Sequence, residues 1–243
     1  MTAAGTANAG FTTVNTGNTF GGGLGATGGG GSELNIVKIM ESIPGYGAYS
    51  AGAVGTTLTF TGGGSAKRVE DFGSGGVLTL VNGSAGALDQ KWKDGTVTFE
   101  AHARFAGFGQ AFGYNTALDN STFATTVTQI TGSGLGASGS GVFTIGAGDF
   151  QWMRADNLAG ANRQFSIEAN NAGACDQMVA WEIFGFAGQK RYLLAFEDIV
   201  GSGSDRDFND LVMELVVVIP PPSAGGMGLA GLLVLGVRRR RSV

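Results

Sequence analysis

Glu197-Asp198-Ile-Val-Gly-Ser-Gly-Ser-Asp205-Arg206-Asp207-Phe208-Asn209-Asp210 stands between two short apolar runs, Tyr192 to Phe196 and Leu211 to Val218. Apolar runs of this length, rich in Val, Leu and aromatics and bounded by a Gly/Ser/Asp cluster, read as two strands joined by a turn. The turn gathers acidic side chains, and calcium takes carboxylate, amide and carbonyl oxygens from such loops. Asp205-x-Asp207-x-Asn209 has the opening spacing of an EF-hand. However, Asp210 stands where that loop needs Gly and Val216 where it needs the closing Glu, which excludes an EF-hand. On an extended chain Asp205, Asp207 and Asn209 share one face, with Glu197 and Asp198 entering from the preceding strand. Carboxylates so close repel unless a cation lies among them. A calcium site is the first reading; a turn held by Asx hydrogen bonds and neutralised by Arg206 is the second.

Outward from this turn the same pattern recurs. Forty-five glycines and four prolines, with only 14% charged residues, suit many short strands joined by glycine turns. Val97 to Phe105 alternates Val97, Phe99, Ala101, Ala103 and Phe105 with Thr98, Glu100, His102 and Arg104, one face buried and one wet. Further strands are expected at Leu58 to Thr61, Val69 to Phe72, Val77 to Val81, Gln110 to Tyr114, Thr125 to Thr131, Val142 to Ile145, Phe165 to Ala169 and Met178 to Phe186. This spacing is that of a sandwich or barrel. Gly132 to Gly141 reads as a mobile Gly/Ser loop. Ser32 to Ile43 is the amphipathic exception, a short N-terminal helix capped by Ser32, stopped at Pro44-Gly45, and apolar at Ile36, Ile39, Met40 and Ile43.

Residues 1–31 hold Ala7-Asn8-Ala9, shaped like a signal-peptide cleavage site but with no apolar core before it. They read either as the remnant of a truncated leader or as an Ala/Gly/Thr-rich disordered linker. A β-domain over 32–218 follows, then a Pro-rich linker over 219–224 containing Pro220, Pro221, Pro222 and Ser223. Residues 225–243 hold an uncharged Gly/Leu/Val segment and then Arg238, Arg239, Arg240 and Arg241. An apolar helix before a basic cluster is a stop-transfer pattern, although this one is short for a stable span.

The net charge is −4, but four of the fifteen basic residues sit in that arginine run, so the body is more acidic than the total suggests. That argues against nucleic acid as a partner. One cysteine, Cys175, excludes an internal disulfide framework and a cysteine zinc cluster. Catalysis has little support: the only histidine, His102, lies on the wet face of its strand, and no nucleophile motif is present. Trp152, beside Met153-Arg154-Ala-Asp156-Asn157, reads as an exposed loop aromatic and a ligand contact.

A Pro-containing motif, a small-residue-rich apolar helix and a terminal arginine cluster together resemble the PEP-CTERM sorting tail of exported bacterial proteins. Pro220-Pro221-Pro222-Ser223 stands where the family has Pro-Glu-Pro. The resemblance implies export, a transient inner-membrane anchor through the tail, cleavage by an exosortase-type enzyme, and delivery to the cell surface or extracellular polysaccharide matrix. Phe196-Glu197-Asp198, the glycine spacer and Asp205-Arg206-Asp207-Phe208-Asn209-Asp210 also resemble a domain of unknown function common in such proteins, over about Leu34 to Val218. Asp176-Gln177-Met178-Val179 fits a less specific position of it, with Gln177 where His is frequent. This resemblance implies a mostly β fold, an antiparallel β-sandwich of jelly-roll-like form, binding calcium without catalysis, with Asp176 as an added ligand. The alternative within the same reading is a calcium-dependent carbohydrate-binding module.

Overall fold

The structure, a computed structural model, describes residues 14, 33–69, 78–80, 89–200, 204 and 206–218. Asp205, the N-terminal segment with Ala7-Asn8-Ala9, and the tail with Pro220 to Ser223 and Arg238 to Arg241 lie outside the described residues. Among the described residues no helix is long and apolar enough to cross a membrane.

Helix α1 (Ile36–Ser42) is capped by Asn35, whose side chain accepts from the Lys38 N–H at 3.0 Å, one turn later than the Ser32 cap expected. The strands are β1 (Tyr49–Gly52), β2 (Thr57–Phe60), β3 (Ser65–Arg68), β4 (Leu78–Thr79), β5 (Trp92–Ala103), β6 (Gln110–Asn115), β7 (Thr126–Ile130), β8 (Ser140–Ala155), β9 (Gln164–Phe165), β10 (Met178–Phe184), β11 (Lys190–Phe196) and β12 (Leu211–Val217). The mostly antiparallel β fold with a short N-terminal helix is therefore as expected. Among the described residues the strands form one hydrogen-bonded sheet of twelve rather than two separate ones, in the order β1-β2-β3-β10-β11-β12-β5-β8-β6-β7, with β4 on β5 and β9 on β8.

Strand β8 turns this one sheet into two layers. Its first part pairs with β5 from Ser140 to Phe150, and Gln151 to Ala155 pair with β6. The β5 pairing slips in register between Lys93 and Gly95, where Gly95 has φ +139° and Gly148 opposite has φ +126°, conformations open mainly to glycine. Past that slip β6 folds over the central strands and encloses an aromatic core of Trp92, Phe99, Phe112, Phe143, Phe150 and Trp152. Phe112 of one layer meets Phe196 of the other at 6.2 Å between ring centroids. The opposite face of β10–β12 is covered by α1 and β1–β3, which bury Val179, Trp181, Leu193, Ala195 and Val212. Strands covered on both faces read as continuous apolar runs, and this is why Met178 to Ile183 and Tyr192 to Phe196 show so little polar alternation.

Three local expectations are corrected. Gly132 to Gly141 is not a structureless loop: Thr131 bridges Ser138, Arg104 bridges Gly134, and Ser140 and Gly141 begin β8. The expected strand from Phe165 to Ala169 is limited to Gln164–Phe165, because a 3-10 turn starts at Glu168. His102 is not solvated; its Nε2 lies 2.9 Å from Glu214 Oε2, which it meets across the β5–β12 pairing, and its side chain is 11% exposed.

Candidate metal centre

The register of β11 against β12 pairs Phe196 with Leu211, which sets the next residues outward, Glu197 and Asp210, opposite each other. Asp210 Oδ2 accepts from the Asp198 N–H at 2.7 Å, tying the two strand ends together. Glu197, Asp198 and Asp210 each bring a carboxylate oxygen within 4.8 Å of the others. Glu197 is 2% exposed, and its Oε1 accepts from the Ile199 N–H at 3.3 Å.

Between these ends the loop does not run extended. Arg206 has φ +57° and Phe208 φ +54°, left-handed conformations uncommon outside glycine, Asn and Asp. The extended run on which Asp207 and Asn209 were expected to share a face is thereby broken at Phe208. Phe208 turns fully inward and joins the core under α1. Asp207 accepts from the Asn209 backbone N–H at 3.2 Å and from its side-chain Nδ2 at 2.6 Å, and the same Nδ2 donates to the Leu34 carbonyl at 3.1 Å. Asp207 and Asn209, both buried, thus brace the loop and fasten it to the segment before α1.

The counter-charge comes from an unexpected place. Arg154 of β8, with no exposed side-chain surface, pairs with Asp156 Oδ1 at 2.9 Å and reaches to 3.7 Å from Asp198 Oδ2. It also donates to the Asn162 carbonyl at 3.0 Å and to Gln164 Oε1, while Gln164 Nε2 donates to the Asp198 carbonyl at 3.1 Å. Burial pulls the guanidinium below its usual range, and Asp198, Asp156, Asp210 and Glu197 act against that pull. Arg206, expected in this role, instead places its guanidinium carbon 5.9 Å from the Phe208 ring centroid. A sequence signal for Arg154 existed: it shares a strand face with Phe150 and Trp152, and a charge on an apolar face implies a buried partner. Burial first, then the negative charges of Glu197 and Asp198, push the Asp210 carboxyl well above the usual range.

Residues 138–217 match a domain of unknown function, DUF4114. The DUF4114 match begins just before β8 and ends with β12, so it holds Arg154 and the three converging carboxylates together. It leaves α1 and β1–β7 outside and covers only the later part of the stretch over which the resemblance was read. No curated protein matches the chain.

Two remaining expected site residues fall on either side of the geometry. Asp176 stands at the start of β10, its Oδ1 accepting from the Met178 N–H at 3.2 Å; its carboxylate is not in the converging set, although the adjacent Gln177 carbonyl accepts from the Glu197 N–H at 3.1 Å. Trp152 is no exposed ligand contact. It sits in β8, fully buried, with its ring centroid 5.3 Å from Phe112 and 4.9 Å from Phe150.

Proposed function

We propose that this chain is an exported, non-enzymatic, calcium-binding β-protein of the cell surface or extracellular matrix, built on a jelly-roll-like sandwich and sorted by a PEP-CTERM-like tail. The observation that carries the calcium reading is the convergence of Glu197, Asp198 and Asp210 within 4.8 Å. Oxygens sharing one calcium ion at about 2.3–2.6 Å are at most about 5.2 Å apart, so the three fit one ion. Their donors are hard oxygens, as calcium prefers, and the guanidinium of Arg154, which reaches Asp198, is already engaged by Asp156. Glu197, Asp198 and Asp210 would hold the ion, with Asp207 and Asn209 keeping the loop in place.

The export part of the proposal is supported by the tail's sequence: Pro220 to Ser223 as the motif for an exosortase-type enzyme, and Arg238 to Arg241 as the stop after an apolar anchor. β12 leads into that tail, so an ion at the start of the strand would brace the element from which the domain hangs.

The test is thermal unfolding of the protein in millimolar calcium and in chelator. A ligand bound only by the native state raises the midpoint, by an amount equivalent to about 2.7 kcal/mol at a hundredfold excess over Kd. Asp198→Asn should remove the rise. An unchanged wild-type midpoint would refute the reading.

One observation favours a second reading, a calcium-dependent carbohydrate-binding module. A groove of about 330 Å³ crosses the outer face of β5, β8 and β12, lined by Thr98, Glu100, Ser140, Val142, Glu214 and Val216. Its hydroxyls, carboxylates and small apolar surface suit a polyol in place of the aromatic platform that Trp152 does not provide. Retention on a defined polysaccharide, lost on Glu100→Ala, would favour it.

A further inference from the structure

We infer that Gln177 supplies a neutral fourth oxygen, its side-chain Oε1, to the cation held by Glu197, Asp198 and Asp210, an assignment that rests on the calcium reading above. Strand register sets its position. Met178 pairs with Phe196 across β10 and β11, and Phe196 pairs with Leu211 across β11 and β12. One residue outward, Gln177, Glu197 and Asp210 therefore form a row across three strand ends. Cross-strand partners project to the same face of a sheet with Cβ atoms about 4.5–5.5 Å apart. The backbone bond from the Glu197 N–H to the Gln177 carbonyl, 3.1 Å long, shows that the pairing persists to this row.

Gln177 is 1% exposed, and its Oε1 is buried without a hydrogen-bond partner among the described residues. Buried polar atoms are paired in the great majority of cases, so this oxygen calls for an explanation. Directly opposite it on the row is the Glu197 carboxylate, which accepts when ionised and cannot satisfy another acceptor. A hard cation satisfies both at once, and side-chain amide oxygens are ordinary calcium ligands. A neutral donor in this place also adds coordination without adding to the negative charge already crowded against Arg154.

Calcium titration calorimetry on the full chain, alongside thermal unfolding in chelator, tests the assignment. Gln177→Leu keeps the bulk and removes the oxygen. The expected result is a chelator midpoint equal to or above that of wild type, because an unpartnered buried acceptor has been removed, with calcium affinity weakened about tenfold or more. A purely structural glutamine would show the reverse, a lower metal-free midpoint with affinity unchanged. Wild-type affinity in Gln177→Leu, with the wild-type calcium shift intact, overturns the Gln177 assignment and leaves the calcium site standing. Absence of any calcium binding by wild type overturns both. Should Gln177→Leu fail to fold, Gln177→Glu carries the test: a charged oxygen at the same place tightens calcium binding if the position is a ligand, and unchanged affinity overturns the assignment.

Discussion

Asp210→Asn in the metal-free protein measures the cost of ionising a carboxyl buried beside Glu197 and Asp198. Burial first, then Glu197, Asp198 and, least, Asp207, raise the Asp210 carboxyl, while the Asp198 N–H at 2.7 Å works in the opposite direction and is outweighed. In the unfolded chain the same carboxyl titrates near about 3.9. Between that value and its raised native value the folded state holds a proton that the unfolded state has lost, so stability falls as pH rises. A full proton of difference amounts to about 1.4 kcal/mol per pH unit, or about 3–6 °C of midpoint per unit for a chain of this size. Asparagine keeps an oxygen for the Asp198 N–H and removes the titration. The midpoint of Asp210→Asn minus that of wild type should therefore grow by that amount per pH unit above about pH 4 and level off once Asp210 ionises. Taking the difference cancels Glu41, Asp119 and Glu214, whose lowered values give wild type and variant the same acid-side loss. Melts followed by circular dichroism in chelator, at half-unit steps of pH, measure it. Parallel curves for the two proteins would refute the raised Asp210 carboxyl. In saturating calcium the order should reverse, with the ion favouring the ionised aspartate that the variant lacks.

Arg154→Met should destabilise the metal-free protein by about 3 kcal/mol, since it leaves Asp156 and Asp198 buried without their guanidinium; denaturant unfolding measures it, and calcium should recover part of the loss. Glu214 makes a second pH prediction. Burial would raise its carboxyl, but hydrogen bonds and charge from His102 and Arg191 outweigh burial and hold it below its usual range. Its contribution is thus present above the unfolded value of about 4.3 and lost as pH falls through the lowered native value. Glu214→Gln should cost about 3 kcal/mol at neutral pH, and chemical denaturation should show the deficit shrinking in acid.

Much of this architecture was legible because its signals are local. Ile36, Ile39 and Met40 recur at helical spacing and are buried in α1, and the apolar runs before Glu197 and after Asp210 are strands with Glu197, Asp198 and Asp210 at their ends. What stayed hidden depends on pairing between distant segments. The expected strand from Val142 to Ile145 is one part of a sixteen-residue strand, because Gly146 and Gly148, which look like breaks, are instead the bend that lets β8 serve both layers. The left-handed turns at Arg206 and Phe208 are equally unreadable from residue type, since neither is glycine, Asn or Asp. Trp152 and Arg154 were misplaced for a single reason: a strand assigned as loop exposes on paper the side chains that its second layer covers.

Those two left-handed residues also account for the division of labour in the acidic turn. An extended loop would direct Asp205, Asp207 and Asn209 to one side and set them as a ladder of like groups. The observed backbone sends Phe208 into the core under α1, turns Asp207 onto Asn209, and anchors Asn209 to the Leu34 carbonyl. Holding two non-glycine residues at positive φ costs energy, which burial of a whole phenylalanine and the bond to Leu34 offset. The strand pairing beyond the loop then sets Asp210 opposite Glu197. The carboxylates are thus preorganised by β11–β12 register and by a loop secured to the helix. A cation bound there would relieve the repulsion among them.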